Sequence, residues 1–219
     1  CPRCATALSD LEVEHREISS HLYYVRYRLE EWEEQFVTVA TTRPETILGD
    51  TAVAVNSGDE RYKSLVGKKA ILPVPEELKR PIPIIADDAV DPSFGTGALK
   101  ITPAHDPVDF EIAQRHGLPS INIMDLDAKM NERTRPYYYR NERDRDDRFE
   151  CRRKLVSYLE NEGLLVEKEP YMHSVGHCQR CQTMVEPLLL KQWFVKTAPL
   201  SPSQSSAIAE RRIEIIPKP

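Results

Sequence analysis

FGTGALKITPAHDPVDFEIAQRHG, residues Phe94 to Gly117, turns from strand into helix within one stretch. Around ALKITPA the residues are apolar and β-branched, as in a strand. From Asp106 onward they carry helix punctuation. Asp106 is a good N-cap, Pro107 suits the first helical position, Asp109 places an acid in the first turn, and Gly117 is a stop. Upstream, LEVEHREI, HLYYVRYRL, FVTVATT, DTAVAVN, KAILPV and RPIPIIAD read as further strands separated by Gly, Pro, Asn and Asp turns. Pro81 and Pro83 push the last of these towards an edge or the start of a ladder, because proline has no amide hydrogen to donate. Downstream, DRFECRRKLVSYLENEG from about Asp147 reads as an amphipathic helix, with Phe149, Leu155, Tyr158 and Leu159 on one side and Gly163 as its stop. Between the two helices NERTRPYYYRNERDRDD is polar and aperiodic, hence an expected exposed connector, and PLSPSQSS (Pro199 to Ser206) an expected flexible turn. Strands come first and helices later, so the expected class is α+β and mostly β.

Composition narrows what such a fold can do. The chain has 219 residues, and 40% hydrophobic content is enough for a sizeable core. No stretch approaches the roughly 18–20 consecutive apolar residues that span a bilayer, and no signal-peptide pattern opens the chain, so a soluble, cytoplasmic protein with no membrane partner is expected. The first residue is Cys1 and the end, IEIIPKP, has no obvious stop, which suggests a piece of a longer protein. A formal net charge of −5 argues against holding nucleic acid chiefly by neutralising phosphates. Any such contact should be local or shared with other domains. Gly-x-Ser-x-Gly elbow, Walker loop and Rossmann fingerprint are all missing, and GTG (Gly95 to Gly97) is too short to cradle a phosphate by itself.

Four of the five cysteines form two Cys-x-x-Cys knuckles, CPRC (Cys1, Cys4) and CQRC (Cys178, Cys181). Two such pairs make the usual tetrahedral thiolate set for Zn²⁺. Ordinary zinc ribbons separate the pairs by roughly 15–20 residues, whereas here almost the whole chain intervenes. One metal would have to bring the two ends together, as in a ribbon whose loop has been replaced by an inserted domain of residues 10–145. Two unrelated thiol pairs, or disulfides, are the alternative. His173 and His177 could substitute as ligands, and Cys151 is expected to be a core thiol.

Two polar clusters fall at strand ends. One is TTRPET (Thr41 to Thr46), and the other holds Lys100, Thr102, His105, Asp106 and Asp109. Such groups suit a small zwitterionic ligand. A carboxylate at Asp109 can pair with an ammonium, hydroxyls and a lysine can bind ester or alcohol oxygens, and Gly95 to Gly97 allow close backbone approach. Bland readings stand beside these. Asp106 and Asp109 are also what an N-cap and its capping-box partner look like, His105 could be a turn residue, and Thr41 and Thr42 suit a strand by propensity.

VATTRPETILGDTAVAVN, FGTGALKITPAHDPVDFEIAQRHGLPSINIM and HSVGHCQRCQTMVEPLLLKQWFVK together resemble the editing insertion of the class I aminoacyl-tRNA synthetases, the valyl branch most closely, over nearly the whole chain. Glu45 in TTRPET, the GDTAVAV that follows, and VEPLLLKQWFVK (Val185 to Lys196) favour that branch over the leucyl and isoleucyl ones. The resemblance implies a mostly β, barrel-like domain with flanking helices, set into a small zinc-ribbon-like module. Its segments would be a first knuckle at 1–9, an editing domain at 10–145, a helix plus second knuckle at 146–187, and a return segment at 188–219. It further implies hydrolysis of the ester joining a wrong amino acid to the 3′ CCA end of tRNA, threonine being the wrong one for the valyl branch. By similarity Asp109 would anchor the α-ammonium. Lys100, Thr102 and Asp106 would contact the threonyl hydroxyl or the ester. Arg43 and Phe94 would hold the terminal adenosine, and Thr41, Thr42, Thr46, Gly95, Thr96 and His105 would line the rest. Zinc on Cys1, Cys4, Cys178 and Cys181 would be structural, and the partners would be tRNA and the remaining domains of a full-length synthetase, with a monomer as default. Neither signature of the aminoacylation site is present, so any activity should be hydrolytic only. An isoleucyl-type editor removing valine, and a non-catalytic tRNA-positioning module, are the other readings.

Overall fold

A computed structural model of the chain describes residues 1–32, 34–189, 193, 195–199, 206–208, 210 and 212. Residues 1–189 form one compact unit, and 190–219 form a second, in which 206–208 are helical. Apart from its two ends, the expected turn over Pro199 to Ser206 lies outside the described residues, as do parts of the Val185 to Lys196 motif. Among the described residues no helix is long and apolar enough to cross a membrane.

The first unit is built on one seven-stranded sheet with strand order β2-β1-β4-β5-β3-β6 and β9 added beside β1. The strands are β1 (Val13–Leu29), β2 (Phe36–Thr41), β3 (Ala52–Val55), β4 (Lys69–Ile71), β5 (Pro81–Ala86), β6 (Ala98–Ile101) and β9 (Leu165–Cys178); a separate small hairpin pairs β7 (Tyr139–Asn141) with β8 (Asp144–Arg145). The sheet curls. At its far edge the turn before β6 closes back on β2, with the Thr96 hydroxyl donating to the Thr38 carbonyl at 2.6 Å. The result is a strand-dominated α+β half-barrel.

Alternation along β3 shows why both faces of this sheet are covered. Val53 and Val55 point into the main core with Tyr27, Val39, Ile84 and Ala98, while Ala52 and Ala54 point the other way, against Ile112 and Ala113 of α1 (Pro107–His116). Small residues on that face let the helix lie close. The helix begins and ends as its sequence dictates: the Asp106 carboxylate accepts from the amides of Val108 and Asp109, and Gly117 takes the left-handed conformation at φ 63°. Helix α2 (Arg148–Asn161) buries Cys151, Leu155, Val156 and Leu159. Cys151 is therefore the core thiol expected, whereas Phe149, assigned to the apolar side, is exposed.

Other expectations are corrected. From Val13 onward LEVEHREI and HLYYVRYRL join in a single 17-residue strand, and its partner β9 was not read from the sequence at all. Pro81 and Pro83 lie on an interior strand, yet in the half of β5 that pairs with β4 alone, since pairing with β3 begins at Ile84. Their missing amides cost no bond there. The expected connector is folded, with Tyr138, Tyr139, Thr134 and Asp146 buried.

Candidate functional site

Thr41, Thr42, Arg43, Thr46, Phe94, Lys100, Thr102, His105, Asp106 and Asp109 all line one cavity of about 170 Å³, together with Leu22, Ala40 and Leu99. That space exceeds the roughly 10–15 Å³ that admits one water and falls short of the roughly 300 Å³ of drug-sized pockets. It encloses the end of a ligand, not a whole nucleotide. Phe94, 45% exposed, offers an aromatic face to anything larger.

Strand β6 supplies one wall. Lys100 and Thr102, two residues apart and hence on the same face, are both buried, and the Lys100 ammonium donates to the Thr102 hydroxyl at 2.5 Å. Asp109, from the first turn of α1, sits behind them with Oδ2 accepting from the Thr102 amide at 2.8 Å. Its carboxylate therefore bonds to the residue that follows β6 and not back to the N-cap residue, which removes the capping-box reading for this residue. Burial pushes the Asp109 carboxyl up to about 7, against the opposing pull of Lys100. A positive charge brought beside such a buried acid favours its ionised form. Asp106, by contrast, is exposed and acts as the N-cap.

His105 is 1% exposed, and burial, helped by the charges of Arg43 and Lys100, lowers it to about 3. Its Nε2 lies 3.2 Å from the Ile123 amide and accepts from it, which assigns the proton to Nδ1. Nδ1 is buried, with no hydrogen-bond partner among the described residues. Neutral and so weakly basic, this imidazole is suited to donate a hydrogen bond and unsuited to take a proton near neutral pH.

TTRPET forms the opposite wall as a turn bonded to itself. The Arg43 amide donates to the Thr41 hydroxyl at 3.1 Å, and the Thr46 hydroxyl to the Arg43 carbonyl at 2.9 Å. The Arg43 guanidinium donates to the His105 carbonyl at 3.0 Å, pairs with Glu186, and lies 3.5 Å from Glu45. Its charge is thus matched within the protein before any ligand arrives. Glu45 is fully buried and accepts two bonds from Arg152, at 2.7 and 2.8 Å, while Glu186 also meets Arg148 at 2.8 Å.

Gly95 and Thr96 do not line the cavity. A Cβ on Gly95 would stand 2.6 Å from the Cβ of Ala40, and its φ is 55°. Together with the Thr96 bond to β2, this fixes the turn that presents Phe94. Gly95→Ala should lower stability by at least about 1–2 kcal/mol, the ordinary cost of a left-handed non-glycine residue, measured as a shift in denaturant midpoint.

Residues missed in the sequence are Asp50, Tyr27, Glu45, Glu186 and Arg152. Asp50 is fully buried, with Oδ1 accepting from the Thr102 hydroxyl at 2.5 Å and Oδ2 from the Tyr27 hydroxyl at 2.6 Å. The strand reading of DTAVAVN starts at this residue and gives it no role. The available signal was one charge between the apolar pair Ile47 and Leu48 and the apolar run Ala52 to Val55.

The four knuckle cysteines come together although most of the chain lies between them. Strands β1 and β9 form an antiparallel ribbon from Val25/Leu165 to Val13/Cys178, which carries the second knuckle to the first. The four sulfurs lie within 4.8 Å of one another, all five cysteines are free, and the Cys4 amide lies 3.4 Å from the Cys1 sulfur. Tetrahedral Zn²⁺ at about 2.3 Å from each sulfur requires S···S near 3.8 Å, so the cluster fits. Each knuckle is followed by a residue of positive φ, Ala5 at 51° and Gln182 at 62°. His173 and His177 are outside the cluster.

The half-barrel thus carries a small cavity whose walls hold an ammonium, hydroxyls and a desolvated carboxylate, a set suited to the polar end of a larger ligand. Comparison with known proteins supplies the family. Residues 59–144 match the family model described as leucyl-tRNA synthetase, editing domain. Over 218 residues the chain is 52% identical to the valine-tRNA ligase of Dehalococcoides mccartyi (strain ATCC BAA-2266) and 54% identical to that of Thermotoga maritima, covering 100% of this chain and 24% of each of those proteins. The valine-tRNA ligase of Carboxydothermus hydrogenoformans is 52% identical with the same coverage. The LeuRS of an Agrobacterium radiobacter K84 ternary complex with tRNA and LeuAMS gives a TM-score of 0.48 at 16% identity, over 89% of this chain and 28% of that one. The chain belongs to the editing domains of the class I aminoacyl-tRNA synthetases, of the valyl type. It spans about a quarter of the length of the curated relatives it matches.

Proposed function

We propose that this chain is the part of a valyl-tRNA synthetase that hydrolyses threonine from tRNA specific for valine. The observation that carries the reading is the placement of Lys100 and Thr102 beside Asp109 in one small buried cavity. A hydrophobic synthetic pocket cannot strongly reject an isostere that adds a hydroxyl, the accepted figure for a valyl pocket against threonine being about 10². A second site must read the hydroxyl positively. A polar cavity does so because valine would leave its buried donors and acceptors unpaired.

In this reading Asp109 pairs with the α-ammonium, and the approach of that cation draws the carboxyl into its ionised form. Lys100 and Thr102 take the side-chain hydroxyl, Phe94 stacks on the terminal adenosine, and Thr41, Thr42, Thr46 and the backbone of the TTRPET turn close the other side. Asp106 caps the helix that carries Asp109, and Gly95 and Thr96 hold the turn that carries Phe94. No cavity side chain is an activated nucleophile, and His105 is too weakly basic to serve as one's base. Attack therefore falls to a positioned water, aided by the free hydroxyl of the substrate's own ribose, with the ester fixed by its two anchors. The partners are the 3′ CCA end of mischarged tRNA and the remaining domains of the synthetase. A cytoplasmic monomer, the division into segments 1–9, 10–145, 146–187 and 188–219, and the zinc-ribbon insertion belong to the same reading.

Cys1, Cys4, Cys178 and Cys181 would hold Zn²⁺, whose four thiolate ligands leave no open position, so its contribution is structural. The full-length protein should therefore contain one zinc per chain at this cluster, lost in Cys178→Ser. Threonyl-tRNA hydrolysis should survive with its selectivity intact, because the ribbon end lies outside the cavity.

The test of function is hydrolysis of threonyl-tRNA and valyl-tRNA, both on tRNA specific for valine, beside valyl-tRNA specific for isoleucine. Selective release of threonine supports this reading, release of valine from the isoleucine tRNA supports an isoleucyl-type editor, and no release by the full-length protein leaves a tRNA-positioning module.

A further inference from the structure

Two walls bound the cavity, the TTRPET turn and the stretch from Lys100 to Asp109. Among the described residues one hydrogen bond joins 41–46 to 100–109: Nη1 of Arg43 donates to the His105 carbonyl at 3.0 Å. That carbonyl belongs to the peptide leading into Asp106, the N-cap of the helix that carries Asp109. Arg43 is thus a strut between the walls. Carboxylates hold its other end. Glu45 stands 3.5 Å from Nε, and its two oxygens already accept from Arg152. The partner that fixes the fork is therefore Glu186, to which Nη2 donates.

Glu186 belongs to neither wall and does not line the cavity. It lies on the segment after the second knuckle, whose place is fixed at three points. The Val185 amide donates to the Gly176 carbonyl at 2.9 Å, Nη2 of Arg148 donates to the Met184 carbonyl at 3.1 Å, and Nε of Arg148 stands 2.8 Å from Oε1 of Glu186. One oxygen of this buried carboxylate thus faces Arg148 and the other Arg43. A guanidinium is a rigid planar fork. With Nη2 held on Glu186, Nη1 is aimed at the His105 carbonyl.

Building on the editing reading above, we propose that Glu186 is a positioning residue for the hydrolysis: by orienting the Arg43 fork it sets the spacing between the TTRPET turn and the turn that opens α1, and so the place of the ester between them. The hydroxyl contacts do not depend on it, because Lys100 and Thr102 bond to each other without Arg43. Glu186 therefore governs how well a bound ester is presented for attack, not which side chain is read. Reacting groups displaced by about 1 Å lose up to ~10² in rate.

The experiment uses the full-length protein as wild type, Glu186→Gln, Arg43→Met and the double variant. KM and kcat are measured for threonyl-tRNA and valyl-tRNA specific for valine, and amide hydrogen exchange is followed without substrate. In Glu186→Gln, kcat/KM for the threonyl ester is expected to fall by at least about tenfold, the worth of one hydrogen bond to a charged group. The loss should lie mainly in kcat, with the threonyl-to-valyl ratio within about twofold of wild type. Added to Arg43→Met, Glu186→Gln should cost less than about twofold more, because its effect passes through the guanidinium already removed. The amides of Thr46 and His105, one in each wall and bonded to the carbonyls of Arg43 and Thr102, should exchange at least about tenfold faster in Glu186→Gln, relative to Ala54 in β3. A folded Glu186→Gln with wild-type kcat/KM or wild-type exchange at these amides, a collapsed threonyl-to-valyl ratio, or losses that multiply in the double variant overturns the proposal. If Glu186→Gln does not fold, Glu186→Asp carries the test: its shorter side chain keeps the charge but cannot hold both arginines, kcat/KM should fall several-fold, and an unchanged value overturns the proposal. A wild type that leaves the threonyl ester intact overturns the editing reading, and exchange at Thr46 and His105 then decides for or against the Arg43 strut by itself.

Discussion

Asp109→Asn is expected to abolish threonyl-tRNA hydrolysis while making the protein more stable near and above neutral pH. Loss of one partner of a buried charge pair costs about 2–5 kcal/mol, so kcat/KM should drop by ~10² or more. The asparagine still offers a carbonyl oxygen to the Thr102 amide, so α1 keeps its tie to the residue after β6. Stability should move the other way. Burial raises the Asp109 carboxyl to about 7, above its unfolded value near 3.9. Between those pH values the folded protein holds the proton that the unfolded chain has released, so wild-type stability falls as pH rises through the window, by up to roughly 4 kcal/mol. Asparagine has no such titration. Denaturant unfolding of the two proteins at pH 4 and pH 8 checks this: the advantage of the variant should be small at the lower pH and grow to a few kcal/mol at the higher. Equal stabilities at pH 8 would contradict a desolvated carboxylate at this position.

Glu45→Ala should be among the most destabilising single changes. Glu45 is fully buried, receives two bonds from Arg152 and faces Arg43, while Arg43 and Arg148 share Glu186. Burial alone would raise its pKa, but the hydrogen bonds and charge of Arg152, with the charge of Arg43, outweigh burial and hold it below the ordinary range. Its contribution is accordingly complete above the unfolded carboxylate value and is lost as pH falls through the lowered folded one. Removing it leaves two partly buried arginines short of an anion, which costs about 3–5 kcal/mol. The change should also release Arg43 towards the cavity. The denaturant midpoint reads the first effect, and a raised KM for the threonyl ester reads the second. A loss under about 1 kcal/mol would show the network to be dispensable.

Much of this architecture is legible in the sequence wherever a local rule coincides with the tertiary one. Asp106, Pro107 and Gly117 punctuate α1, alternation marks β2 to β6, and the paired knuckles mark the thiol cluster. The residues that line the cavity stood together in two short motifs at strand ends, so most of the wall could be read before the fold. The failures share a cause, which is that polar patterns are organised by partners distant in sequence. LVEKEPYMHSVGHC has no apolar period because β9 is one strand of a half-exposed ribbon, held by its ladder to β1. NERTRPYYYRNERDRDD looks solvated although its charges are paired, Arg140 with Asp144 and Asp146 inside the stretch, and Arg145 with Asp127 and Asp146 with Lys154 across its ends. Asp50 passed unnoticed, and Glu45 was read only as a mark of the valyl branch, for the same reason. Each acquires its role from an arginine, tyrosine or threonine that only folding brings near.

The central claim is that this cavity holds the misattached amino acid by its ammonium and its hydroxyl. A crystal structure with a non-hydrolysable threonyl-amide analogue of the 3′-terminal adenosine tests it most directly. The account predicts the ammonium within hydrogen-bond distance of Asp109, the threonyl hydroxyl on Lys100 and Thr102, and the adenine against Phe94. An analogue bound with its side chain away from Lys100 and Thr102, or outside this cavity, would contradict it.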